Sequence, residues 1–143
     1  MTQTPALDYP VAVNSYLTEA QLATADVLQL EAGKRVTPES RLISDLGAEG
    51  VEVLEIFHNV GIDCTRFTCG ETLTPEGRRL LTSIAHRRYE PGSPRQKRLL
   101  DLAQSEGSKF MREMDVLDVA DFMWYKEEGQ DMHGGCWRAD AVG

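Results

Sequence analysis

The chain lacks several features that define whole classes of protein. No apolar run approaches the roughly 18 to 20 residues that span a bilayer. The stretch from Met1 to Val13 has neither the basic end nor the apolar core of a secretion signal. A cytoplasmic protein with no membrane segment is therefore expected. Gly-rich phosphate loops are missing, and none of Ser15, Ser40, Ser44, Ser83, Ser93 and Ser105 sits in a nucleophile elbow. Phosphoryl and acyl-serine chemistry thus have no support in the sequence, and an enzyme is not expected. Internal repeats and low-complexity segments are also absent. Bases are scarce in the first part: up to Phe57 they are only Lys34, Arg35 and Arg41.

What is present is a chain of 143 residues, 41% apolar and 27% charged, with a formal net charge of -8. That length and apolar content suit one domain with its own core. The net charge makes nucleic acid an unfavourable partner, because phosphates repel such a surface unless bases are segregated. Some segregation exists: Arg78, Arg79, Arg87, Arg88, Arg95, Lys97 and Arg98 form a basic middle, and acids return from Asp101 onward. The plain reading is a solvated basic helix face. The sharper one is docking on an acidic partner or on the chain's own acidic part.

Periodicity predicts a mainly helical chain. A first helix is expected over 18–32, or from Val11 if Val11 to Leu17 extend it, with Thr18 and Gln21 at capping-box spacing, Leu22, Ala25 and Leu28 facing inward and Gly33 as its stop. A turn-rich connection follows, with Leu42 and Leu46 as core plugs. Over 49–60, Val53, Leu54, Phe57 and Val60 give the stripe of a second helix. Thr74 caps and Pro75 opens a third helix over 75–88, which buries Leu80, Leu81, Ile84 and Ala85. A fourth is expected over 95–106. Asp115 caps the last, over 116–127, with Val116, Val119, Ala120 and Met123 on one face. A short extended piece near 62–69 is too brief to found a sheet.

The segment Asp45-Leu46-Gly47-Ala48-Glu49-Gly50-Val51-Glu52-Val53-Leu54-Glu55-Ile56-Phe57 resembles the signature of acyl carrier proteins, in which Asp-Ser-Leu opens an acidic helix after Asp-Leu-Gly. Thr37 to Ile43 looks like that family's preceding loop, and Asp115 to Met123 is similar to its closing helix. Pro75-Glu76-Gly77 matches a carrier-like bacterial family of unknown function with glycine at the serine position. The resemblance covers 18–62 and 113–128, so 66–112 reads as a helical insertion and 129–143 as a tail. It implies a single all-α, acyl carrier protein-like domain over 1–143. In the family the serine hydroxyl is esterified by phosphopantetheine. Position 50 is glycine, which has no oxygen for the ester, so no cofactor is expected, and a tight turn would be a structural reason for the glycine.

The family's partners recognise that second helix. The resemblance therefore implies a non-catalytic interaction module whose Glu49, Gly50, Val51, Glu52 and Glu55 meet a protein with a basic patch, from fatty-acid or polyketide synthesis. One alternative is an apolar small-molecule or acyl-chain binder with a cavity among Leu46, Leu54, Phe57, Ile84 and Val119. Another is a zinc-stabilised structural protein using Cys64, Cys69, His133 and Cys136. Against zinc, the two pairs lie far apart in sequence, and three thiols are commonly just small buried apolar groups. His58 reads as a surface or hydrogen-bonded residue. Trp124, Tyr125 and Trp137 read as cover for the last helix, with a partner groove as the sharper alternative.

Overall fold

A computed structural model describes residues 11–31 and 36–129, with side chains for 16–31 and 36–127. Among these residues the chain is mainly helical. It forms α1 (Val11–Leu28), α2 (Gly50–Asn59), α3 (Pro75–Arg88), α4 (Pro94–Ala103), α5 (Lys109–Glu113) and α6 (Val116–Trp124). A 3-10 turn at Cys64–Arg66 leads into a minimal antiparallel hairpin, β1 (Thr68–Cys69) with β2 (Thr72–Leu73), which pairs Thr68 with Leu73 and Cys69 with Thr72. None of the described helices is long and apolar enough to cross a membrane.

At the centre lies α6, buried at every position from Val116 to Trp124. A helix that is apolar on nearly all faces needs cover all round, and α1 supplies the largest share of it. The inward face of α1 differs from the expected one. Leu17, Ala20 and Thr24 are buried, whereas Leu22 is 66% exposed and Ala25 and Leu28 are half-buried. A threonine can occupy this core stripe because its Oγ1 donates to the carbonyl of Ala20 at 2.8 Å, so no polar group is orphaned. Gln29, with φ 52, ends α1 earlier than expected, and Gly33 lies outside the described residues.

The connection to α2 is stitched to the start of α6. Leu42 N donates to Met114 O at 3.0 Å, Val116 N to Ser40 O at 3.1 Å and Leu117 N to Pro38 O at 3.0 Å. The last two satisfy orphan amides of the α6 first turn, and the first helps hold Leu42 in the core with no exposure. Leu46 is only half-buried. On α2 the fully buried residues are Val53, Ile56 and Phe57, while Leu54 and Val60 are half-buried, so the stripe sits slightly rotated from the expected one.

The segment 66–112 holds the hairpin, α3, α4 and most of α5. Thr74 accepts from Gly77 N at 3.0 Å, Pro75 opens α3, and Leu80, Leu81, Ile84 and Ala85 are buried, all as the sequence predicts. Ser93 caps α4 by accepting from Gln96 N. The hairpin joins the core through Phe67. Its ring stacks on Phe122 of α6 at 4.5 Å between centroids and meets Phe57 of α2 edge-on at 5.6 Å.

Candidate functional site

The carrier-like segment folds as a loop feeding an acidic helix. Glu49 is its N-cap and is exposed, Gly50 is the first helical residue, Val51 is 63% exposed and Glu55 is exposed. Val51 and Glu55 are one turn apart and share a face. Glu52 is half-buried and turned back on its own helix, where Oε1 accepts from Glu49 N at 2.9 Å and closes a capping box. It is therefore less free to meet a partner than its neighbours.

The backbone does not require glycine at position 50, which is not among the residues with positive φ; Gly47, at φ +80, is the turn residue of this segment. The tight-turn explanation thus belongs to Gly47. A Cβ on Gly50 would meet only the Oε2 of Glu71, 3.3 Å away. The hairpin turn thereby brings a further carboxylate beside the start of α2.

Of the four proposed zinc ligands, the described residues include Cys64 and Cys69. Cys64 is buried and Cys69 exposed, while His133 and Cys136 lie outside the described residues, as does Trp137. Burial pushes the Cys64 thiol up to about 11, although the Thr68 hydroxyl beside it pulls the other way. Among the described residues no group of three or more His, Cys, Asp or Glu could hold a metal ion.

Of the apolar set proposed for a cavity, Leu54 lines a recess and Leu46 is half-buried. Phe57, Ile84 and Val119 are fully buried in the packed core. A recess of about 190 Å³ opens elsewhere, between the 3-10 turn and the end of α6, with Phe67, Leu80, Phe122 and Tyr125 as walls and Arg66 and Lys126 on its lining. A wider one of about 580 Å³ adjoins it at Gly61, Ile62 and Asp63, with His58 and Leu54 on its lining. His58 is exposed, and Trp124 and Tyr125 are buried as cover, as expected.

The basic middle corrects the plain expectation of a solvated face. Lys97 and Arg79 are exposed, but Arg95 and Arg98 turn inward onto Asp115 and Asp118 at the start of α6, not onto the acid-rich first part up to Phe57. Arg78 Nη1 donates at 2.8 Å to the carbonyls of both Ala103 and Ser105 and so closes the end of α4. Arg88 lies over the Trp124 ring at 4.3 Å and Arg87 over Tyr125 at 5.8 Å.

Sequence reasoning missed the resulting buried charge network. Arg95 donates to both oxygens of Asp115 at 3.0 Å and to Asp118 at 2.7 Å. Arg98 grips Asp118 at 2.8 and 2.9 Å and donates to the Glu113 carbonyl at 2.6 Å. Asp115 and Asp118 also cap each other's amides at 2.9 Å. Asp121 accepts from the Tyr89 hydroxyl at 2.9 and 3.0 Å, and its nearest guanidinium nitrogen, on Arg95, stands 3.8 Å off.

Burial, with Asp118 next to it, pushes Asp115 up to about 6 despite its arginines. Burial pushes Asp121 further, to about 7. Burial also opposes the charge on Asp118, but Arg98 and Arg95 outweigh it and hold that carboxyl below its ordinary 3.8. The signal for this network was in the sequence. Three aspartates at spacing three interrupt an otherwise apolar helix, and two arginines at spacing three stand upstream. No protein-family model, curated protein or solved structure matches the chain.

Proposed function

We propose that the chain is a non-catalytic, carrier-protein-like interaction module, an acyl carrier protein-like bundle without the arm, which docks a basic surface of a partner protein through α2. The observation that carries this reading is the exposure of Val51, 63% accessible, with Glu55 one turn on and Glu49 and Glu71 near it. An exposed apolar side chain ringed by carboxylates suits a surface that offers lysine or arginine around an apolar spot, with the charges steering encounter and fixing register. The resemblance of the Asp45 to Phe57 segment supports partners from fatty-acid or polyketide synthesis. Charge reversal at Glu55 combined with Val51→Ser tests the reading and leaves the Glu52 capping box intact. Recovery of the same partners at undiminished yield from the source cell would sink it.

A second reading, an apolar small-molecule binder, is favoured by the recess walled by Phe67, Leu80, Phe122 and Tyr125. It predicts chemical-shift changes at Phe67 and Phe122 when a fatty acid is added, and silence there counts against it.

A further inference from the structure

The junction between the inserted α3–α4 pair and α6 contains more buried negative charge than positive. Asp115, Asp118 and Asp121 are all almost inaccessible, and two guanidiniums, Arg95 and Arg98, face them. The donors are unequally shared. Asp115 and Asp118 take the guanidinium hydrogen bonds, whereas Asp121 has a phenol, so the surplus charge falls on Asp121. Among the described residues, groups on the other packed elements do not redress the balance. The buried residues of α1 (Leu17, Ala20 and Thr24) are uncharged, α5 contributes only the Glu113 carbonyl, and Arg87 and Arg88 at the end of α3 lie over the Tyr125 and Trp124 rings.

The backbones of α4 and α6 make few close approaches, so the long arginine side chains and Tyr89 span much of the gap. We infer that Asp121 is a proton-operated clasp: with a proton on its carboxyl the α3–α4 pair is held against α6, and release of that proton to solvent as the pH rises loosens the junction. With the proton on, two carboxylates face two guanidiniums. With it off, one buried carboxylate is left without a matching charge, an arrangement that low-dielectric surroundings oppose. The burial that pushes Asp121 up to about 7 places the change within the physiological range.

Amide hydrogen exchange of the full chain, corrected for intrinsic rates, tests the clasp. For a group that titrates about three units higher when closed than when open, the opening equilibrium rises about 30-fold between roughly pH 5.5 and 8.5. That rise is expected at the amides of 89–98 and 118–124 in the wild type, over and above what Asp121→Asn shows. The variant still carries Asp115, so the difference isolates Asp121. Equal pH dependence in the two proteins overturns the inference. Should Asp121→Asn fail to fold, carboxyl carbon shifts in the wild type and in Tyr89→Phe decide. The Asp121 signal is expected to titrate near 7, and at higher pH once the stabilising hydroxyl is gone. A midpoint below about 5, or no movement in Tyr89→Phe, overturns the clasp.

Discussion

Gly50 and Gly77 each stand near the start of a helix, where alanine is the better helix former by up to about 1 kcal/mol. Their surroundings differ. A Cβ at position 77 would strike the Phe67 carbonyl and lie 2.8 Å from Phe67 Cβ and 2.9 Å from Leu73 Cδ2, two atoms held in the hairpin and its aromatic stack. Position 50 meets only the mobile end of Glu71. Gly77→Ala is therefore expected to cost about 2 kcal/mol or more, as overpacking outweighs propensity. Gly50→Ala should be neutral or gain a few tenths of a kcal/mol. Urea unfolding of the two variants checks the pair, and a Gly77→Ala midpoint equal to wild type would show that the hairpin can yield. The sequence marks Gly77 only as part of a motif, since the close approach of the hairpin is a long-range contact that no local pattern encodes.

At the scale of elements, the legible features were those set within one turn of chain. The Thr74 cap with Pro75 after it, the Asp115 cap and the buried face of α3 all follow from local hydrogen-bonding geometry and 3.6-residue spacing. The α1 face differs from the one expected through Leu22, Ala25 and Leu28 because Thr24, whose hydroxyl is satisfied by the helix itself, takes a core position. The candidate site was legible as a loop feeding an acidic helix, but Glu71 beside Gly50 has no local signature, and the three-residue spacings of the arginines and aspartates do not reveal that Arg95 and Arg98 of α4 reach across to α6. The network also makes α6 unusually dependent on α4. Arg95→Met would leave Asp115, Asp118 and Asp121 facing one guanidinium in a buried setting. The expected loss is about 3 to 5 kcal/mol in denaturant unfolding, larger than the same change at exposed Lys97, which should stay within about 0.5 kcal/mol.

For the whole molecule, pH and salt separate the two kinds of charge. Asp121 and Asp115 have folded values of about 7 and about 6, above the ordinary 3.8, so ionising them disfavours the native state and stability is lost as pH rises through that window. Asp118 is held below 3.8, so the stability it contributes is present above that value and disappears only on further acidification. The urea midpoint should therefore be higher near pH 5 than near pH 8, and a flat profile would contradict the placement of Asp121. Salt acts on the other set. Glu49 and Glu55 lie in solvent on a chain of net charge -8, where the screening length is about 10 Å at 0.1 M and about 3 Å at 1 M. The arginine-aspartate network is shielded from ions by burial. Raising salt from about 0.05 to about 0.5 M should slow association with the proposed basic partner by at least about tenfold and leave the melting temperature nearly unchanged. Stopped-flow binding and calorimetry over the same salt series measure both quantities. A melting temperature that falls in step with the association rate would mean that the charges holding the fold and those meeting the partner are not spatially separate.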